Sequence, residues 1–289
     1  MLSFFSAPKF CSGDTRIIQF NAIRSWAKIY PQCEIIIFSK DGSSDELINE
    51  LNLRVVRNFE CNKYGTPIVN DLFHQAQKIA SNDILCYVNS DIILLNDFIT
   101  SVIRIQNLEN FLVIGRRWDV NVSYYINFNS HYESEIKNTV KRNGKLHSPS
   151  GIDYFIFKRR TIEKMPHFAV GRPGWDNWLI CHCRSKKFKI IDATSQIMAI
   201  HQNHDYSHIQ KINNDKIDDW SGPEANHHYD LMKNQYYLCD IFNSNLVLTK
   251  NFLLPAIMPK YMIKNTITYL LHINILYKLI IYLKNNFNL

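Results

Sequence analysis

Ile84-Leu85-Cys86-Tyr87-Val88-Asn89-Ser90-Asp91-Ile92-Ile93-Leu94-Leu95 is the stretch on which the fold turns. Its opening run, Ile84–Val88, is continuously apolar, as a strand buried on both faces of a helix-covered sheet is. The same stretch then admits one acidic side chain, Asp91, between two apolar blocks. An ionised carboxylate is costly to bury unless it is paired or metal-bound, so Asp91 is expected at a strand end facing a cleft.

Upstream, the chain keeps a βαβ rhythm. Strands are predicted at Leu2–Phe5, Glu34–Phe38 and Leu53–Val56, and helices at Arg16–Tyr30, Ser44–Leu51 and Ile68–Ala80. Such alternation predicts an α/β fold with a largely parallel sheet flanked by crossover helices, its ligand site beyond the carboxyl ends of the strands. Residues just after strands are therefore the first candidates. Asp41, in Ser39-Lys40-Asp41-Gly42, either bonds a nucleoside or opens an Asp-Gly turn.

Downstream, a strand at Phe111–Ile114 leads to Gly115-Arg116-Arg117-Trp118-Asp119, where Arg116 and Arg117 suit a diphosphate. A polar, aromatic segment from Asn121 to Gly144 follows, with one helix near Glu133–Arg142, and then a strand at Gly151–Lys158. Gly171-Arg172-Pro173-Gly174-Trp175-Asp176-Asn177-Trp178 cannot be the interior of a regular element and reads as a shaped loop before a helix. Asp176 there is either a helix cap or a carboxylate held at a cleft. Exposed flanking indoles would suit stacking on sugar faces. A short strand, Ile197–Ile200, ends in His201-Gln202-Asn203-His204-Asp205-Tyr206-Ser207-His208. Three histidines within eight positions after a strand point to metal ligation by at least one, with Asp205, Ser207 and the remaining histidines supporting the ligand.

Composition limits the alternatives. The 289 residues are 46% hydrophobic and 13% aromatic, which excludes a disordered or fibrous chain. Of the formal charge of +7, five charges belong to Lys250, Lys260, Lys264, Lys278 and Lys284, beyond which no Asp or Glu follows Asp240. The rest of the chain therefore lacks the basic signature of a nucleic-acid binder. Residues 1–240 are read as the catalytic domain and 241–289 as a basic, apolar helical tail, packed on the core or lying on an anionic membrane face. No run in Tyr261–Leu289 reaches the ~20 apolar residues that span a bilayer. The amino terminus is not a convincing signal peptide. Seven scattered cysteines, with Cys181-His182-Cys183 inside a helical segment, are read as buried free thiols of a cytoplasmic protein.

Taken in order, these motifs resemble the glycosyltransferase A fold, a Rossmann-like, nucleotide-sugar-binding architecture. Tyr87–Leu94 resembles its Asp-any-Asp segment, whose acidic side chains hold manganese or magnesium against the donor diphosphate; here the first position is Asn89 and the second Asp91. Gly115–Asp119, Gly171–Trp178 and His201–His208 resemble a group of nucleotide-diphospho-sugar transferases, over roughly residues 1–228. The resemblance implies Asp91 and His201 as metal ligands, with His204 as substitute, and Asp176 as the base of an inverting reaction. With it go Asp41, Asn89, Arg116 and Arg117 around the donor, and Trp118, Arg172 and Trp175 around a glycan or lipid-linked acceptor. A nucleotidyltransferase and a non-catalytic binding module are the competing readings. Ser6–Thr15 holds only Gly13 where the former would place a glycine-rich phosphate loop.

Overall fold

A computed structural model describes residues 2–9, 13–29, 33–40, 42, 45–204, 222–232 and 239–272. Asp41, Asp205, Ser207 and His208 lie outside them, as do residues 273–289 of the expected tail.

The expected βαβ rhythm is present. Strand β1 (Leu2–Ser6), helix α1 (Gly13–Ile29), β2 (Glu34–Phe38), α2 (Asp45–Leu51), β3 (Arg54–Val56), α3 (Val69–Ile79) and β4 (Ile84–Val88) form the first half. Then come β5 (Ile92–Ile93), α4 (Asp97–Ile105), β6 (Phe111–Ile114), β7 (Arg117–Val120), α5 (Tyr132–Asn143), β8 (Lys145–Leu146) and β9 (Tyr154–Lys158). The last elements are α6 (Trp175–Ser185), β10 (Lys189–Asp192), β11 (Ala199–Gln202), α7 (Pro223–Met232), β12 (Leu246–Leu248), β13 (Leu253–Pro255) and α8 (Pro259–His272).

Nine strands make one sheet in the order β13-β12-β10-β6-β9-β4-β1-β2-β3, parallel except at β9 and β13. Its inner strands β4 and β6 are apolar throughout and fully buried because both faces are covered. Phe5, Tyr87, Leu112, Phe155 and Phe157 point to the side closed by α3 and α6. Phe4, Cys86, Val88, Val113 and Ile156 point to the side closed by α1, α2 and α4. Phe73 of α3 stacks on both Tyr87 and Phe157, with ring centroids 5.5 and 5.4 Å apart.

A second sheet, β5-β11-β7-β8, stands beside the first and closes over its own small core of Ile93, Leu95, Val120, Val122, Tyr132, Ile136, Val140 and Ile200. Its strands are two to four residues long, too short for a periodic signal, and β7 begins at Arg117, the second of the arginine pair that follows β6.

Two expectations are corrected. The chain after Asp240 is not helical throughout: after one short 3-10 turn at Ile241–Asn243, β12 pairs with β10 and β13 with β12, extending the central sheet, and α-helix begins only at Pro259. Cys181 is not a free thiol either; it is bonded to Cys239, 58 residues away, while Cys183 stays buried and free. The nearby Cys183 drew attention in the sequence, but the partner comes from a distant segment folded onto α6. Among the described residues no helix is long and apolar enough to cross a membrane.

Candidate active site

β4 ends at Val88, and the chain turns through Asn89, Ser90 and Asp91 into β5. The turn is fixed by the neighbouring antiparallel strand. Asn89 donates its backbone N–H to the Asp153 carbonyl (3.0 Å) and its side-chain amide to Asp153 Oδ1 (2.6 Å). Asp91 then projects between the two sheets. Its Oδ2 lies 3.5 Å from His201 Nε2 and 3.3 Å from His204 Nε2.

His201 comes from β11, in register with Ile92 of β5 on one side and Asp119 of β7 on the other. It is inside the strand, not after it, and is buried. Asp91, His201 and His204 can each offer a ligand atom within 4.8 Å of the others. An imidazole–carboxylate set of this kind suits a divalent transition metal. The fit is supported by a buried polar atom that makes no hydrogen bond, Asp91 Oδ1. Buried polar atoms are rarely left so, and a cation at the Asp91 carboxylate would satisfy its oxygen.

The electrostatics agree. Burial alone would raise the Asp91 pKa, yet hydrogen bonding and charge from His201 and His204 hold it well below the usual carboxylate range. Burial works against the His201 imidazolium, but Asp91 prevails and its pKa is raised. Metal binding must displace that proton, so the site favours cations at higher pH.

Behind these residues is a tier that sequence reasoning missed. Asp119 Oδ1 is 3.3 Å from His201 Nδ1, and its Oδ2 is 2.6 Å from His147 Nδ1. Burial opposes the Asp119 charge, but His147 and Arg117 hold its pKa below normal. Arg117 donates Nε to Asp119 Oδ1 and Nη1 to Asp153 Oδ2, both at 2.9 Å. Its charge is therefore set against two carboxylates within the protein. Arg116 spends its guanidinium on the neutral His147 carbonyl.

Asp176 approaches from the large sheet. Gly174, at φ 91° and with the Met232 side chain where a Cβ would stand, occupies the cap position of α6. That backbone region favours glycine. Asp176 thus lies inside the first turn and is not the cap. It keeps some exposed area, but its carboxyl is surrounded deeply enough that desolvation pushes its pKa from 3.8 to about 6. The Asn177 N–H opposes this rise and the Asp153 charge adds to it.

The tryptophans differ from expectation. Trp175 and Trp178 are 5% and 7% exposed, so neither offers an open indole face. Trp175 packs on Phe155 and Tyr87 at 4.9 and 5.2 Å, and Trp178 stacks on His182 at 4.4 Å. Burying those large rings fixes α6, and with it Asp176, against the sheet. Trp118 on β7 is half-buried over the small core. Arg172 donates Nε to Glu224 of α7 at 2.7 Å, and Glu224 also accepts from Asn62, which ties the glycine loop down from the far side.

The fold is of the mixed α/β class with a mostly parallel central sheet. No model of a protein family matches the chain, and no curated protein does. Among solved structures, glucosyl-3-phosphoglycerate synthase from Mycobacterium tuberculosis, in complex with Mn2+, uridine diphosphate and phosphoglyceric acid, is 16% identical, with 72% of this chain and 73% of that one covered and a TM-score of 0.41. A mannosyltransferase from Pyrobaculum calidifontis with GDP-Man and Mn2+ is 11% identical over 83% of this chain and 62% of that one, TM-score 0.43. The 4-diphosphocytidyl-2C-methyl-D-erythritol synthase of Anaerococcus prevotii is 10% identical over 74% and 93%, TM-score 0.40. At these identities and TM-scores the likenesses assign no reaction to this chain.

Proposed function

We propose that this protein transfers a sugar from a nucleotide-diphosphate donor to a hydroxyl of a glycan or lipid-linked acceptor, inverting the anomeric carbon, with divalent manganese or magnesium at the donor diphosphate. The observation that carries this reading is the convergence of Asp91, His201 and His204, with Asp176 within range of the same Asp153 charge that orders the turn before Asp91.

Asp91, His201 and His204 would hold the ion, which when bound offsets the negative charge of the departing diphosphate. Asp119 orients His201 from behind, as carboxylates behind metal-bound imidazoles do. Arg117 holds the Asp119 and Asp153 carboxylates in place. Arg116, bonded to a neutral carbonyl, has the charge better suited to a phosphate. Asn89 acts by orienting Asp153, and Asp41 is assigned to the nucleoside. Trp118 and Arg172 are assigned to the acceptor side; the buried Trp175 serves it by holding the loop.

Asp176 takes the proton. As the acceptor oxygen bonds to the anomeric carbon, the bond from that carbon to the diphosphate oxygen breaks and the hydroxyl proton passes to the Asp176 carboxylate. A pKa of about 6 leaves it ionised at neutral pH and more basic than an ordinary aspartate. The working position is taken to be the surface of a membrane, without crossing it.

The test is release of nucleoside diphosphate from a panel of nucleotide sugars, with and without Mn2+, by wild type and Asp91→Asn. Ion-dependent release that Asp91→Asn loses supports the reading. Donor binding with equal background release by both proteins would make the chain a binding module.

A further inference from the structure

Helix α8 is attached to the body by its polar side. Tyr261 buries its ring and donates its hydroxyl to Asp192 Oδ2 at 2.6 Å. Lys264 pairs with Asp240 at 2.8 Å, and Asn265 and Thr268 accept from the Asn243 amide at 3.3 and 3.0 Å. Positions 261, 264, 265 and 268 form one helical face. The rest of the helix surface presents Met262, Ile263, Ile267 and Tyr269 to solvent.

This reverses the usual amphipathic arrangement, in which the apolar stripe faces the core. The reversal is not confined to the helix: Phe252, Leu254, Ile257 and Met258 just before it are exposed too. Of the twelve large apolar side chains exposed among the described residues, eight lie within 252–269, a concentration in one segment of the chain.

We propose that this face of β13 and α8 docks in the plane of an anionic lipid bilayer. The charge pattern selects that partner. Lys250 and Lys260 are exposed at its margin, and no acidic residue follows Asp240 anywhere in the sequence. A second copy joined through the same patch would set lysines against lysines with no carboxylate of this region to offset them. Anionic headgroups complement the lysines, while the apolar side chains enter the acyl boundary. A helix of 14 residues is about 21 Å long, suited to lying in the interface.

The inference gives a surface to the membrane position proposed above, but it is tested without donor, ion or acceptor, so failure of the proposed chemistry does not alter its outcome. Full-length protein is floated with phosphatidylcholine vesicles, alone or mixed with phosphatidylglycerol. Wild type is expected to float with the mixed vesicles and to lose binding as salt rises. Ile263→Glu/Ile267→Glu should reduce binding at least tenfold with an unchanged melting temperature. Lys250→Gln/Lys260→Gln leaves the apolar face intact and should reduce binding to mixed vesicles severalfold. Absence of wild-type flotation, equal binding to both vesicle types, or a homodimer that Ile263→Glu/Ile267→Glu dissociates would overturn the proposal.

Discussion

Asn89 and Asp153 are joined twice, by the backbone N–H and by the side-chain amide of Asn89, across the end of the β4–β9 pair. The residue at the first position of the Asp-any-Asp-like segment is thus engaged with a neighbouring carboxylate. Asn89→Asp would complete the acidic motif, yet it would place one carboxylate against another. It is expected to cost roughly 1–3 kcal/mol, read as a fall in melting temperature, and to leave Mn2+ affinity no higher. A variant as stable as wild type with tighter Mn2+ binding would show that residue 89 serves the ion directly.

Asp91→Asn removes the charge shared by His201 and His204. Mn2+ affinity, measured by calorimetry or electron spin resonance, should fall by more than the roughly 10–100-fold that loss of a supporting group costs, with the melting temperature close to wild type. Unchanged affinity would remove Asp91 from the metal set.

Asp119→Asn tests the tier behind His201. The amide keeps the shape but weakens the hold on the imidazole, and Mn2+ affinity should drop on the order of 10–100-fold. Because His147 and Arg117 also rely on Asp119, Asp119→Ala should add a loss of stability that Asp119→Asn largely avoids. Equal effects of the two variants on metal binding and stability would make Asp119 purely structural.

Asp176 gives opposite signs for activity and stability. As a base it must be ionised, so kcat/KM should fall about tenfold per pH unit below about pH 6. Its folded pKa is above the unfolded one, so its contribution to stability is complete below about pH 4 and disappears as pH rises through about 6. Asp176→Asn cannot ionise and escapes that loss. It should transfer sugar ~10²–10⁴-fold more slowly, yet be more stable than wild type near pH 8 by on the order of 1–3 kcal/mol and no more stable near pH 4. A variant with near-normal transfer would end its assignment as base.

The Cys181–Cys239 bridge is at odds with a reducing compartment, where such bonds are exceptional. Protein purified without reductant should gain two reactive thiols when denatured protein is reduced, reaching the seven cysteines of the sequence. The bridge closes a 58-residue span, for which the chain-entropy account gives a stabilisation of about 4 kcal/mol. Seven thiols without reduction would restore the free-thiol reading.

Much of the large sheet was legible because its strands are apolar without interruption: Glu34–Phe38, Ile84–Val88 and Phe111–Ile114 carry their limits in the sequence. Asp91, His201 and His204 were legible for a related reason, as polar side chains at the ends of or beside such runs. Asp153 was not, since attention to residues following strands presumes parallel order. β9 runs the other way and brings its leading residue to the end where other strands finish. Trp175 shows a different limit, because an indole beside an aspartate reads alike whether it faces a cleft or the core. The second sheet was illegible for want of length, and the outward apolar face of α8 for want of any sequence mark of which side would meet the body.

That second sheet bears on motion. His201, Asp119 and the turn at Asp91 border a core of eight residues and share only Ile92, Leu94, Ile197 and Ala199 with a larger one. The buried residues of α6, by contrast, all belong to the far larger core beneath the main sheet. Small cores open at lower free energy than large ones. Amide protons of β5, β7 and β11 should therefore exchange ahead of those of β4 and β9, and Mn2+ should slow the first group selectively. The ion-binding half would then form the yielding jaw of a clamp whose other jaw stays fixed.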